Sequence, residues 1–157
     1  MTELYDLPGH LIRRLHQISV SIFANLMSEA GIDLTPVQFA ALVKVRDNPG
    51  IDQATLAGLI AYDRATIGGV VDRLVAKGLL QRDVSSKDRR ARVLIPTDEG
   101  ERILASAMPI IHSVQDELLT GLNDKERSQF ENLLRKAIAA MNDASRAPLR
   151  FKSIDIE

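Results

Sequence analysis

Residues 63–96 read DRATIGGVVDRLVAKGLLQRDVSSKDRRARVLIP, and the change of period inside them decides the fold. Ile67, Val70, Val71 and Leu74 recur three and four apart, the spacing of one helix face. Asp63 is placed to cap that helix, and Lys77-Gly78 to end it. After Gly78 the spacing shortens to runs of branched residues over 79–84 and 92–96, separated by the polar loop 85–91. The expected product is a helix followed by a hairpin with a charged tip.

Working outward, Asp52 opens a short helix to about residue 60, with a turn at Ala61-Tyr62. Thr35-Pro36-Val37-Gln38 is a capping box with Pro at the first helical position, and Leu34 and Phe39 occupy staple positions. That helix runs to about Arg46, before Asn48-Pro49-Gly50. Three short helices and then a hairpin is the order of a winged helix-turn-helix, whose last helix enters the major groove. At the chain ends, residues 8–28 form a helix striped by Leu11, Leu15, Ile18 and Ile22 and flanked by Ile12, Phe23 and Leu26. This apolar arc is wider than one surface helix needs, so a second chain is expected to cover it. Thr97-Asp98-Glu99 starts a long helix with Pro109 inside it, where a kink is expected. Asn123-Asp124-Lys125-Glu126 opens a last helix striped by Phe130, Leu133, Leu134, Ala137 and Met141. From Arg146 onward no pattern stands out. The fold class is mainly α with a small β-hairpin wing (α+β). A winged helix-turn-helix lobe covers about 35–97, and a helical dimerisation region about 8–30 and 98–144, within one domain of residues 1–157.

The chain has 157 residues, 45% apolar and 26% charged, with a formal net charge of −1, which is enough for a sizeable core and too apolar for disorder. No run approaches the roughly 18 consecutive apolar residues of a membrane span, and no basic leader precedes an apolar block. A cytoplasmic protein without a membrane partner is expected. The absence of Cys excludes disulfides, thiolate nucleophiles and cysteine-held metal. Four Phe, two Tyr and no Trp are a poor platform for stacking unpaired bases. Enzyme readings fare badly: there is no Gly-rich phosphate loop and no Gly-x-Ser-x-Gly elbow. His10 and His16 are spaced wrongly to share a metal from one helix, and His112 is distant in sequence. No cofactor is expected.

Near-neutrality hides an asymmetry. Between residues 64 and 92 there are eight basic residues against three acidic ones, a local excess of five on an otherwise acidic chain. On the recognition helix Thr66, Gly69 and Arg73 point away from the apolar face, with Arg64 in the first turn. Gly68-Gly69 costs helix stability, about 1 kcal/mol per Gly relative to Ala. Two accounts stand side by side: close approach of the helix to the groove floor, or tight packing against a neighbouring helix. Lys87, Arg89, Arg90 and Arg92 place cations on the wing, where a minor groove attracts them. Asp88 is expected to orient one of these arginines by a bidentate pair.

The run Gln53-x-x-Leu56-Ala57, then Asp63-Arg64-Ala65-Thr66 through Asp72-Arg73-Leu74 to Gly78-Leu79-Leu80, then Asp88-Arg89-Arg90 and Leu94-x-Pro96-Thr97-x-x-Gly100, resembles the MarR family of bacterial transcriptional regulators. The likeness covers about residues 8–144, and the Asp-Arg-Ala-Thr-Ile-Gly-Gly version is similar to regulators of aromatic-compound catabolism. It implies a homodimer held by the first and last helices, each subunit presenting a winged helix to a half-site of a palindromic operator in double-stranded DNA. Gln53, Arg64, Thr66, Gly68, Gly69, Arg73, Lys87, Arg89, Arg90 and Arg92 are the expected DNA-binding residues. Many members carry a polar or basic residue where this chain has Gly69. The resemblance further implies release of DNA by a small aromatic or phenolic anion, or its coenzyme A thioester, bound between the lobes. His10, Arg14 and His16 are the candidate ligand residues, with His16 read more readily as a packed core or interface histidine and Arg14 equally as a surface residue. The rival expectation is a winged-helix protein–protein adaptor with no duplex function.

Overall fold

The computed structural model describes residues 3–151. A 3-10 turn at Glu3–Asp6 leads into α1 (Pro8–Glu29), α2 (Pro36–Asp47), α3 (Gln53–Leu59) and α4 (Ile67–Ala76). The hairpin β1 (Leu80–Val84) and β2 (Arg92–Pro96) follows, then α5 (Asp98–Leu118), α6 (Asp124–Met141) and a 3-10 turn at Asn142–Ala144. The order and types are those expected, and the architecture is a winged helix with long flanking helices.

Capping fixes most boundaries. Thr35 accepts from the Gln38 N–H while the Gln38 side chain accepts from the Thr35 N–H, and Asn123 and Glu126 do the same at α6. Gly31 and Gly78 have positive φ and end α1 and α4. Ala61 does this task after α3 at φ 51°, a conformation that strains any residue with a Cβ. α5 continues through Pro109.

One boundary differs from expectation. α4 begins at Ile67, four residues after Asp63, so Arg64 lies in a turn ahead of the helix and not in its first turn. Local bonds compete with the helix there. The Asp63 carboxylate accepts from the Ala65 N–H at 2.8 Å, and the Thr66 hydroxyl donates to the Asp63 carbonyl at 3.1 Å.

The core lies where the apolar faces of the three short helices meet. Leu42 and Val45 of α2, Leu56 of α3, and Ile67, Val71 and Leu74 of α4 are fully buried with Leu80 and Leu94 of the wing. Met27 of α1 and Leu104 and Val114 of α5 extend it along the α1–α5 contact. The wing gains a third rung that sequence reading missed: Ile51 pairs with Leu94, whose N–H donates to Ile51 and whose carbonyl accepts from Gly50. By contrast no residue of α6 is buried, and its stripe residues Leu133 and Met141 are 58% and 65% exposed.

The wing-to-α5 junction is the tightest point. Thr97 donates its hydroxyl to the Gly78 carbonyl at 2.6 Å and accepts the Gly100 N–H at 3.0 Å. A Cβ on Gly100 would sit 2.2 Å from the Leu79 carbonyl oxygen. The obstruction is backbone, which no rotamer change relieves. Gly100→Ala is therefore expected to cost about 3 kcal/mol, at the upper end for overpacking, read as a lowered urea midpoint at unchanged m-value.

Candidate nucleic-acid interface

The exposed face of α4, the turn before it and the wing form one rim. Val70, Val71 and Leu74 turn inward, which forces Gly69 and Arg73 outward, and both are exposed. The Arg73 guanidinium reaches back to within 3.9 Å of where a Gly69 Cβ would stand, following the tilt of helical side chains toward the N-terminus. Arg64 and Thr66 are exposed in the turn that leads into this face. Gln53 is the first residue of α3, and its side-chain nitrogen lies 3.3 Å from a Cβ built on Gly68. A Cβ on Gly68 would press the side-chain end of Gln53, whereas one on Gly69 would meet only the side-chain end of Arg73.

The wing is built by backbone bonding at its tip. Ser85 Oγ accepts from the N–H groups of Lys87 and Asp88, and Asp88 Oδ1 accepts from the Arg90 N–H at 2.9 Å. Asp88 thus does not form the expected bidentate pair with an arginine. At a tight tip the unpaired backbone donors lie nearer than any guanidinium, and the short carboxylate satisfies one of them. Lys87, Arg89, Arg90 and Arg92 all remain exposed.

The eight cations split into two kinds. Arg82 bonds to Asp72 of α4, pinning the hairpin to that helix. Lys77 donates to the Asp33 carbonyl at 2.7 Å and the Gln38 side chain at 3.1 Å, and pairs with the Asp33 carboxylate at 2.9 Å, tying the end of α4 to the start of α2. Among the described residues the other six, Arg64, Arg73, Lys87, Arg89, Arg90 and Arg92, have no carboxylate within 4 Å. Unpaired guanidinium groups spread over a helix and a hairpin match a charged backbone better than a small acid.

The proposed ligand residues are not enclosed by one chain. His10 is half-buried with its ring edge-on to Tyr5, centroids 5.4 Å apart. Arg14 is exposed and donates to the Gln17 side chain at 2.9 Å, and His16 is exposed elsewhere on the helix. Walls for a pocket around them would have to come from outside the single subunit. Sequence reading also missed the segment 145–150, which docks on α3 although it carries no periodic signal.

The fold and charges invite comparison with known proteins. The family model described as "MarR family" matches residues 34–91. The chain is 38% identical over 131 residues to the transcriptional regulator HosA of Escherichia coli O111:H-, covering 83% of this chain and 94% of that protein. It is 34% identical over 136 residues to the HTH-type transcriptional repressor NicR of Pseudomonas putida, covering 87% and 85%. A solved structure of Bordetella bronchiseptica BpsR, whose DNA binding is regulated by 6-hydroxynicotinic acid, superposes with a TM-score of 0.80 at 31% identity. That likeness covers 87% of this chain and 96% of BpsR.

Asp52 supports the rim from behind. Its carboxylate accepts the Thr55 N–H at 2.8 Å and the Thr55 hydroxyl at 2.7 Å, capping α3 and so seating Gln53. Partial burial alone would raise the Asp52 carboxyl, but the bonds from Thr55 and nearby backbone outweigh it and hold it below the usual carboxylate range. A lowered folded-state value stabilises above the unfolded value of about 4 and fades as pH falls through the folded one. Asp52→Ala should cost about 1 kcal/mol at pH 7, and the gap from wild type should close on acidification, which urea titrations at stepped pH will read.

Proposed function

The chain belongs to the MarR family of transcriptional regulators, and from that premise we propose a dimeric repressor that grips operator DNA through α4 and the wing and releases it on binding a small aromatic acid or its coenzyme A thioester. The single observation that carries the DNA reading is the set of six exposed cations on α4, its preceding turn and the hairpin, with no carboxylate partner among the described residues. Arg64, Thr66, Gly69 and Arg73 address the major groove, with Gln53 and Gly68 supporting that face. Lys87, Arg89, Arg90 and Arg92 address the neighbouring backbone and minor groove.

The dimer reading rests on unsatisfied apolar surface. Leu11, Ile12 and Ile18 on α1 and Leu133, Ile138 and Met141 on α6 are each between 43% and 65% exposed. Apolar residues left open to water on two amphipathic helices support an interface there. Residues about 8–30 and 98–144 are thus assigned to dimerisation and about 35–97 to DNA binding. A two-fold axis then sets the reading heads for half-sites about 34 Å apart, one turn of duplex. The effector reading rests on likeness to BpsR together with His10, Arg14 and His16 on the same α1, where a second subunit would supply the missing walls. The same likeness supports regulation of an aromatic-compound catabolic operon.

The test uses a duplex enriched by the wild-type protein from a random-sequence pool. Logarithmic affinity should fall linearly and steeply with logarithmic salt, and Arg89→Ala with Arg90→Ala should reduce that slope by about 2 without changing the elution volume of the dimer. Binding insensitive to salt, with no footprint, would replace the repressor by a protein–protein adaptor. For the effector, aromatic carboxylates and their coenzyme A thioesters are screened by thermal shift. A ligand at a hundred times its Kd adds about 2.7 kcal/mol to the native state. Arg14→Ala should diminish the shift while leaving the unliganded melting temperature in place. An equal shift in that variant would remove Arg14 from the site.

A further inference from the structure

The segment after α6 is closed by bonds of its own and meets the reading head at three points, through Leu149, Arg150 and Arg146. Asn142 closes a loop by accepting the Leu149 N–H at 2.8 Å and donating to the Leu149 carbonyl at 3.1 Å. The Arg150 N–H donates to the Gly58 carbonyl of α3 at 2.8 Å, and the Arg150 side chain pairs with Asp143 at 2.9 Å. Gly58 permits the approach: a Cβ there would lie 3.1 Å from the Arg150 Cβ. Leu149 lines a cleft with Phe39, Val43, Leu59 and Ile60. Finally Arg146 bonds to Asp63, nitrogen to oxygen 3.0 Å.

That last contact is the informative one. Asp63 uses one oxygen to shape the turn before α4, through the Ala65 N–H, and the other to hold Arg146. Arg146 nevertheless remains 88% exposed. An ion pair so open to water adds little stability, yet a guanidinium held at one edge keeps N–H donors free along the others. Next in sequence to its anchor stands Arg64, and a cleft of about 280 Å³ lies between Arg64, Arg146, Arg150 and Tyr62. Three arginines from two distant parts of the chain thus border one concave surface ahead of the recognition helix, with the Arg150 guanidinium paired to Asp143.

We propose that the docked segment 145–150 is a third DNA-contacting element, in which Arg146 bonds a backbone phosphate flanking the bases addressed by α4. The inference rests on the DNA reading given above. It assigns the pinned segment a purpose that its weak ion pair does not otherwise have. It also extends the footprint along the backbone without adding base readout, since phosphate contacts set register and affinity, not sequence choice.

The experiment titrates the full-length wild-type protein, Arg146→Ala, Arg146→Lys and the wing variant Arg89→Ala/Arg90→Ala against the same enriched duplex across a salt series. Arg146→Ala should lose about one phosphate contact, lowering the salt slope by about 0.9 and the affinity about fivefold at 0.15 M salt. Arg146→Lys should recover most of the slope, because it keeps the charge. Melting temperature and dimer elution should match wild type in both, separating contact from folding. Equal affinity and slope for Arg146→Ala, while the wing variant is weakened, would overturn the third element and leave the repressor reading standing. Loss of affinity at unchanged slope would also overturn it, pointing to docking alone. Salt-insensitive binding by the wild type would overturn both readings together.

Discussion

The junction that ties the wing and α4 to α5 depends on the absence of one side chain. With 2.2 Å between the Leu79 carbonyl oxygen and a hypothetical Cβ on Gly100, α5 can start only where glycine stands. The Thr97 hydroxyl links the Gly78 carbonyl on one side to the Gly100 N–H on the other, and the Thr97 N–H donates to Leu79. The end of α4, the return of the wing and the first turn of α5 are therefore one bonded unit. Thr97 thus couples the end of α4 to the start of α5 through its single hydroxyl.

The charge distribution follows the same economy of place. Lys77 and Arg82 sit where α4 meets the neighbouring loop and hairpin, and their partners Asp33, Gln38 and Asp72 absorb them into the scaffold. Among the described residues, cations farther out on the wing and on the open face of α4 meet no carboxylate. Exposed pairs contribute little stability in water, so the unpaired ones are not a loss for the fold. On the proposed reading they form a standing potential that draws in a polyanion and releases its counterions.

Much of this was legible in the amino-acid sequence because capping chemistry is local. Thr35, Asp52, Thr97 and Asn123 announce four helix starts within one turn of where they occur, and each does so with its own hydroxyl, carboxylate or amide. Asp63 misled for the same reason: its side chain bonds two residues ahead and shapes a turn, so the α-helix waits until Ile67. Asp88 misled because a pairwise rule for charges ignored nearer backbone donors. The outward face of α4 could be read as the complement of its apolar face. The docking of 145–150 could not, since it relies on the carbonyl of Gly58, an amide at Asn142 and one inserted leucine, none of which has a period.

The exposed helix α6 is what the docked segment joins to the reading head. An amphipathic helix of 18 residues with nothing buried has its apolar stripe facing water, an arrangement that tertiary packing normally removes. On the proposed dimer the partner covers it, and α6 then becomes part of a rigid frame shared by both subunits. Its C-terminal end runs directly into the segment that Arg146 and Arg150 fasten to the α3–α4 turn. Each reading head is thereby tied to that frame twice, through the Gly100 junction at one end of the α5–α6 pair and through the docked segment at the other. Two attachments fix an orientation where one leaves a hinge, so a ligand that shifts α1 against this frame would act on the spacing of both recognition helices at once.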